Sequence, residues 1–172
     1  MVQSLLNWGP LSHVRRNHAL EHATLSVLAR KNARRSLAGY SDLRGFWIIG
    51  SLSTEELQQA VDEALSRLKS GEYGLSIHPN CGTNFATSGV LAGSAAFLAL
   101  LGSGRSLRSK LDRLPMAITL ATAALVVAQP IGPWLQARVT TEGRVGELKV
   151  VEIMRYQRSD RSVPMHRVST RI

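Results

Sequence analysis

His18 and His22 stand four residues apart with Glu21 beside the second, giving an H-x-x-E-H order in His18-Ala-Leu-Glu21-His22. On a helix, positions i and i+4 lie one turn apart on the same face, so the two imidazoles can offer nitrogens to one metal ion. Glu21 falls at the edge of that face, where a carboxylate can hold a metal-bound water and take its proton as a general base. The same residues have a plainer reading. They can be core-edge histidines hydrogen-bonded to neighbours, or a polar cluster around Glu21 that fixes helix packing.

A second group lies in Gly74-Leu-Ser-Ile-His78-Pro-Asn-Cys81, where the single cysteine of the chain follows a histidine by three residues. His78 ends a short apolar run and is expected at the end of a strand, with Pro79 and Asn80 opening a turn that points His78 and Cys81 the same way. With His18 and His22 they form a tetrahedral N/S set suited to zinc. One of His78 and Cys81 suffices if the fourth position is kept for water, whereas all four would make a closed, structural site. Alternatively, His78 is satisfied by backbone and Cys81 is a small buried hydrophobe. A Cys81 nucleophile activated by His78 uses the same residues, but without His18 and His22. One cysteine excludes an internal disulfide.

The elements that must position these residues read as an α+β domain. From Pro10 to about Ala33 no glycine or proline interrupts the chain, and Leu20, Val27 and Leu28 recur at helical spacing, with Ser12 as a start cap. Gly45-Phe-Trp-Ile-Ile-Gly50 is a short buried strand. Ser53-Thr-Glu-Glu56 is a capping box, and Leu57, Ala60, Val61, Ala64, Leu65 and Leu68 trace one helical face. A strand leading to His78 would complete a strand-helix-strand crossover. Further on, Ala137–Thr141 and Gly146–Met154 alternate as a hairpin around Glu142-Gly143 that rejoins the sheet.

Hydrophobicity is unevenly spread. Neither Gly82 to Gly104 nor Leu114 to Ala137 contains a charged residue, and each is long enough to cross a hydrocarbon core as a helix. Gly89 and Gly93 offer a small-x-x-x-small face for close packing of the pair, and Trp134 suits an interface. The contrasting reading is a buried helical hairpin in a soluble protein. The expected division is therefore 1–81 as a soluble part, 82–137 as a transmembrane hairpin with a basic loop at 105–113, 138–156 as a β-hairpin, and 157–172 as a basic tail.

Arg105, Arg108, Lys110 and Arg113 place the loop in the cytoplasm by the positive-inside rule. The absence of a signal-like segment in Met1–Leu11 instead favours a cytoplasmic soluble domain, which is the expectation adopted. The net charge of +9 fits contact with anionic lipid headgroups, or with a partner subunit or second copy in the membrane. Nucleic acid is not expected, because no motif interleaves aromatics with the arginines.

Three strings, Asn17-His-Ala-Leu-Glu-His-Ala23, Leu37-Ala-Gly-Tyr-Ser-Asp-Leu-Arg-Gly45 and His78-Pro-Asn-Cys-Gly-Thr-Asn84, together resemble the signature of a bacterial membrane-protein family known as a domain of unknown function. The resemblance runs from about Asn17 to the end of the hydrophobic region. It implies a small soluble domain fused to a membrane hairpin, and it carries no activity with it. Over five residues, His18–His22 is also similar to the inverted zinc peptidases, whose third ligand is a glutamate on a later helix. Here Glu55, Glu56 and Glu63 read as surface charge on their helix, so this similarity supports metal binding more than proteolysis.

Two functions follow. One is a membrane-anchored zinc hydrolase or peptidase, with His18, His22 and His78 or Cys81 as ligands and Glu21 as base. The other is a non-catalytic accessory subunit or assembly factor in which the same cluster is structural.

Overall fold

The computed structural model describes residues 6, 8–32, 34–104, 106–156 and 163–172. Ala33, Arg105 and the first part of the expected tail, 157–162, lie outside the described residues. The chain divides into two compact units, 1–78 together with 136–172, and 79–135.

The first unit is α+β. Helix α1 (Gly9–Lys31) begins with Pro10 in its first turn, where the missing N–H costs nothing, and ends with Arg30 and Lys31 beside the C-terminal carbonyls. Ser12 does not cap it. Trp8 is the N-cap residue and makes no side-chain capping bond, while Ser12 lies inside the first turn with its N–H on the Trp8 carbonyl. Strands β1 (Ala38–Asp42) and β2 (Gly45–Ile49) follow as a hairpin, and then comes helix α2 (Thr54–Lys69). The Ser53 hydroxyl accepts the Glu56 N–H at 3.1 Å, so the expected cap forms. The Glu56 carboxylate reaches Arg35 at 2.6 Å, and Glu63 pairs with Lys31 and Arg67, as suits residues on a solvent face.

Strands β3 (Lys149–Tyr156) and β4 (Met165–Arg171) complete an antiparallel sheet of order β1-β2-β4-β3 among the described residues. Three expectations are corrected here. The segment 165–171, read as tail, is an interior strand that pairs with β2 on one side and β3 on the other. Its alternation is period two, but the positions on the core side are His166, Val168 and Thr170, of which only one is apolar, while Arg167 is buried on the other face. Residues 137–141 are not a strand, because Gln136–Thr140 form a π-helical turn in which the Thr141 N–H bonds the carbonyl of Gln136, five residues back. The residues before His78, Tyr73–Ser76, form a 3₁₀ turn, so among the described residues no strand leads to His78 and the expected crossover does not form there.

One face of the sheet carries Phe46, Ile48 and Val168 into a core shared with Leu20, Ala23, Val27 and Leu28 of α1 and Leu57, Ala60, Val61, Ala64 and Leu68 of α2. Each fully buried large side chain there contributes roughly 1.5–3 kcal/mol. Asn17 ties α1 to both sheet halves: its amide donates to the Asp42 carbonyl at 2.9 Å, and its oxygen accepts from the Thr170 hydroxyl at 2.7 Å. The other face carries Trp47 with the Arg167 guanidinium over its ring, and that guanidinium forks onto both Asp42 carboxylate oxygens at 2.7 and 2.8 Å. These bonds hold the Asp42 carboxyl below its ordinary pKa.

The second unit is helical: α3 (Gly82–Leu100), the short α4 (Leu107–Asp112) and α5 (Leu114–Leu135). Asn84 near the start of α3 packs on Gly132 near the end of α5. Arg113, just before α5, donates to the carbonyls of Ala99 and Leu101 at the end of α3, so the two long helices run antiparallel. Their close contact differs from the expected one. Gly89 and Gly93 face open space, whereas a Cβ at Gly132 would lie 3.1 Å from the Asn84 Cα. Two helices, Gly82–Leu100 and Leu114–Thr140, are long and apolar enough to cross a membrane, with mean hydropathies of 1.3 and 1.8. Phe85, Phe97, Leu98, Ile118, Val126 and Val127 are all exposed, unlike the side chains of a soluble protein's core helix.

Candidate metal centre

Helix α1 presents His18 and His22 on one face with their rings edge-to-face, centroids 4.2 Å apart. His22 is buried and His18 half-buried. The His18 Nδ1 lies 2.9 Å from the Thr140 carbonyl oxygen, and the His22 Nδ1 lies 2.7 Å from that of Ser76. A carbonyl oxygen only accepts, so in each neutral ring the proton sits on Nδ1 and the lone pair on Nε2. This is the arrangement by which proteins fix the tautomer and orientation of metal-binding histidines. The π-helical turn supplies one carbonyl and the 3₁₀ turn the other, so the two segments with the least regular hydrogen bonding position the imidazoles.

Cys81 is buried at the N-cap of α3, where its sulfur accepts the Thr83 N–H at 3.4 Å. His18 and His22 each offer one nitrogen from the first unit, and Cys81 offers one sulfur from the second. The His78 ring centroid lies 5.6 Å from that of His22. Its backbone is fixed by Gln136, whose side-chain oxygen accepts the His78 N–H at 2.9 Å and whose amide donates to the His78 carbonyl at 3.1 Å. Fully buried, Gln136 serves as a side-chain imitation of a strand partner. Nothing in its sequence context marks it, because it sits among apolar residues at the end of the second hydrophobic run.

Glu21 lies on the same helix, one residue before His22. It is only 4% exposed, accepts a hydrogen bond from the Ser41 hydroxyl, and packs against Gly39 on β1. Its carboxylate is thus engaged with the sheet, while the imidazoles are engaged with Ser76 and Thr140. In this rotamer it is a packing partner of β1.

Residues 13–153 match the domain of unknown function DUF6391, a span that takes in His18, His22, Cys81 and both long apolar helices. The chain belongs to this family. The match ends within β3 and does not reach β4. Among curated relatives, an uncharacterised protein of Picosynechococcus sp. is 36% identical over 144 residues, covering 76% of this chain and 67% of its own length. No solved structure matches the chain.

Proposed function

We propose that this member of the DUF6391 family is a membrane-anchored metalloprotein in which α3 and α5 cross the bilayer and His18, His22 and Cys81 hold one zinc ion. The observation that carries this reading is the pair of Nδ1–H groups bound to backbone carbonyls, the arrangement that fixes the tautomer and ring orientation of metal-binding histidines. Two imidazole nitrogens and a thiolate are a donor set that zinc accepts readily, and the edge-to-face pairing of the His18 and His22 rings on one helix face supports it. The exposed apolar surfaces of α3 and α5 support the anchor.

Three protein ligands leave a fourth tetrahedral position for water or an incoming group, which favours a second reading as a zinc hydrolase. Glu21 weighs against it, because the expected base is held by Ser41 and pressed against Gly39. Metal binding in a non-catalytic accessory or assembly protein is therefore the reading adopted.

Cobalt substitution tests it. The full chain, purified in detergent and loaded with Co²⁺, is expected to show a tetrahedral spectrum with a thiolate-to-cobalt charge-transfer band. That band should vanish in Cys81→Ser. A six-coordinate spectrum with no thiolate band would overturn the proposal.

A further inference from the structure

The first unit contains a cleft of about 620 Å³, large enough for a small organic molecule, bounded by the 3₁₀ turn and by the chain from the π-helical turn to Arg144. Its charged lining is unbalanced: Arg15, Arg138 and Arg144 against Glu142 alone. Two of these four cancel. The buried Arg15 guanidinium donates to the carbonyls of Val139 and Thr141 at 2.8 and 3.0 Å and lies 3.7 Å from the Glu142 carboxylate. Glu142 also accepts the Arg144 N–H at 3.1 Å. The charge that remains is that of Arg138 and Arg144, both on exposed residues at the cleft. The Arg144 guanidinium is steadied over the Tyr73 ring at 5.9 Å.

We propose that this cleft binds a phosphate ester, with Arg138 and Arg144 gripping the phosphate and Tyr73 flanking the organic part. Guanidinium groups suit phosphate because their forked donors match two of its oxygens at once, and a surplus of two positive charges matches a phosphate dianion. The volume far exceeds that of phosphate alone, so the ligand carries an alcohol-derived group on it. A lipid headgroup and a soluble phosphate ester share this chemistry. The inference does not depend on the metal site, since none of its charged residues is a proposed ligand.

The test uses the full chain in phosphatidylcholine nanodiscs, with two probes: soluble glycerol phosphate, and phosphatidic acid incorporated into the disc. Arg138→Ala/Arg144→Ala is compared with Arg108→Ala/Lys110→Ala, which removes the same charge from the loop of the second unit. The first pair is expected to weaken binding of at least one probe by about tenfold or more, while the loop pair has little effect. Loss of glycerol phosphate binding assigns a soluble ester, and loss confined to phosphatidic acid assigns a lipid headgroup. Circular dichroism and metal content matching wild type confirm that the variant has folded, and if it has not, Arg138→Gln and Arg144→Gln singly take its place. Equal weakening by both pairs, or no binding of either probe, overturns the proposal.

Discussion

Gly39 of β1 lies directly against the Glu21 carboxylate of α1: a Cβ added at Gly39 would fall 2.6 Å from the Glu21 Cδ. No rotamer change at residue 39 relieves this, since a Cβ has no freedom of its own, so Glu21 or the strand must move. Gly39→Ala is expected to destabilise the first unit by about 1–3 kcal/mol, the usual cost of overpacking. Urea unfolding checks it, and an unchanged midpoint would show that Glu21 is free to leave β1.

The Gln136 clamp makes a separate prediction. Gln136→Ala leaves the His78 N–H and carbonyl without these partners, at a cost of about 1–3 kcal/mol for each group that stays buried. Amide hydrogen exchange at His78 should accelerate in this variant well beyond any change in the core of α2. Uniform acceleration across the first unit would instead indicate global destabilisation.

How far these relationships could be read from sequence depended on how local they are. Helix α1, the Ser53 cap, β2 and the two apolar helices follow from periodicity and capping chemistry within a few residues of each element. Strand β4 escaped because its inward positions are His166, Val168 and Thr170, a pattern whose polar members are acceptable only once Asn17 and Thr54 are there to bond Thr170 and His166. The β-branched Val139 and Thr140 read as strand, yet the helix runs on through them as a π-turn, and the carbonyls of Val139, Thr140 and the following Thr141 are taken by Arg15 and His18. The histidine pair was visible in the sequence. The carbonyls that set its tautomers were not, because any residue type can supply a carbonyl.

Two titrations in the sheet act in separate pH windows, both on the acid side. Burial, and then the nearby Arg155, lower the pKa of His166 from 6.5, against a smaller opposing effect of Glu55. Below about pH 6.5 the unfolded chain therefore binds a proton that the folded one resists, and stability falls with pH until the folded ring also titrates. His166→Gln should flatten that slope. Asp42, whose pKa is lowered chiefly by its bonds to Arg167, contributes stability that is complete above about pH 4 and lost as pH falls through its folded value. Asp42→Asn should therefore leave the slope near pH 6 unchanged and alter only the acid limb. Denaturant midpoints measured from pH 8 to 3 distinguish the two.

In the helical unit, Gly93→Leu should be tolerated and Gly132→Leu should not. The first faces open space and the second abuts Asn84. Thermal stability in detergent should be nearly unchanged for the former and clearly lowered for the latter. The reverse order would mean that the helices pack through the Gly89–Gly93 face after all.

The most direct test of the account is the metal content of the purified full chain. We expect about one zinc per chain in the wild type and in Glu21→Gln, and near-complete loss in His18→Ala, His22→Ala and Cys81→Ala, each checked for folding by circular dichroism. A wild-type protein without bound metal, or folded His22→Ala and Cys81→Ala variants that keep it, would contradict the account.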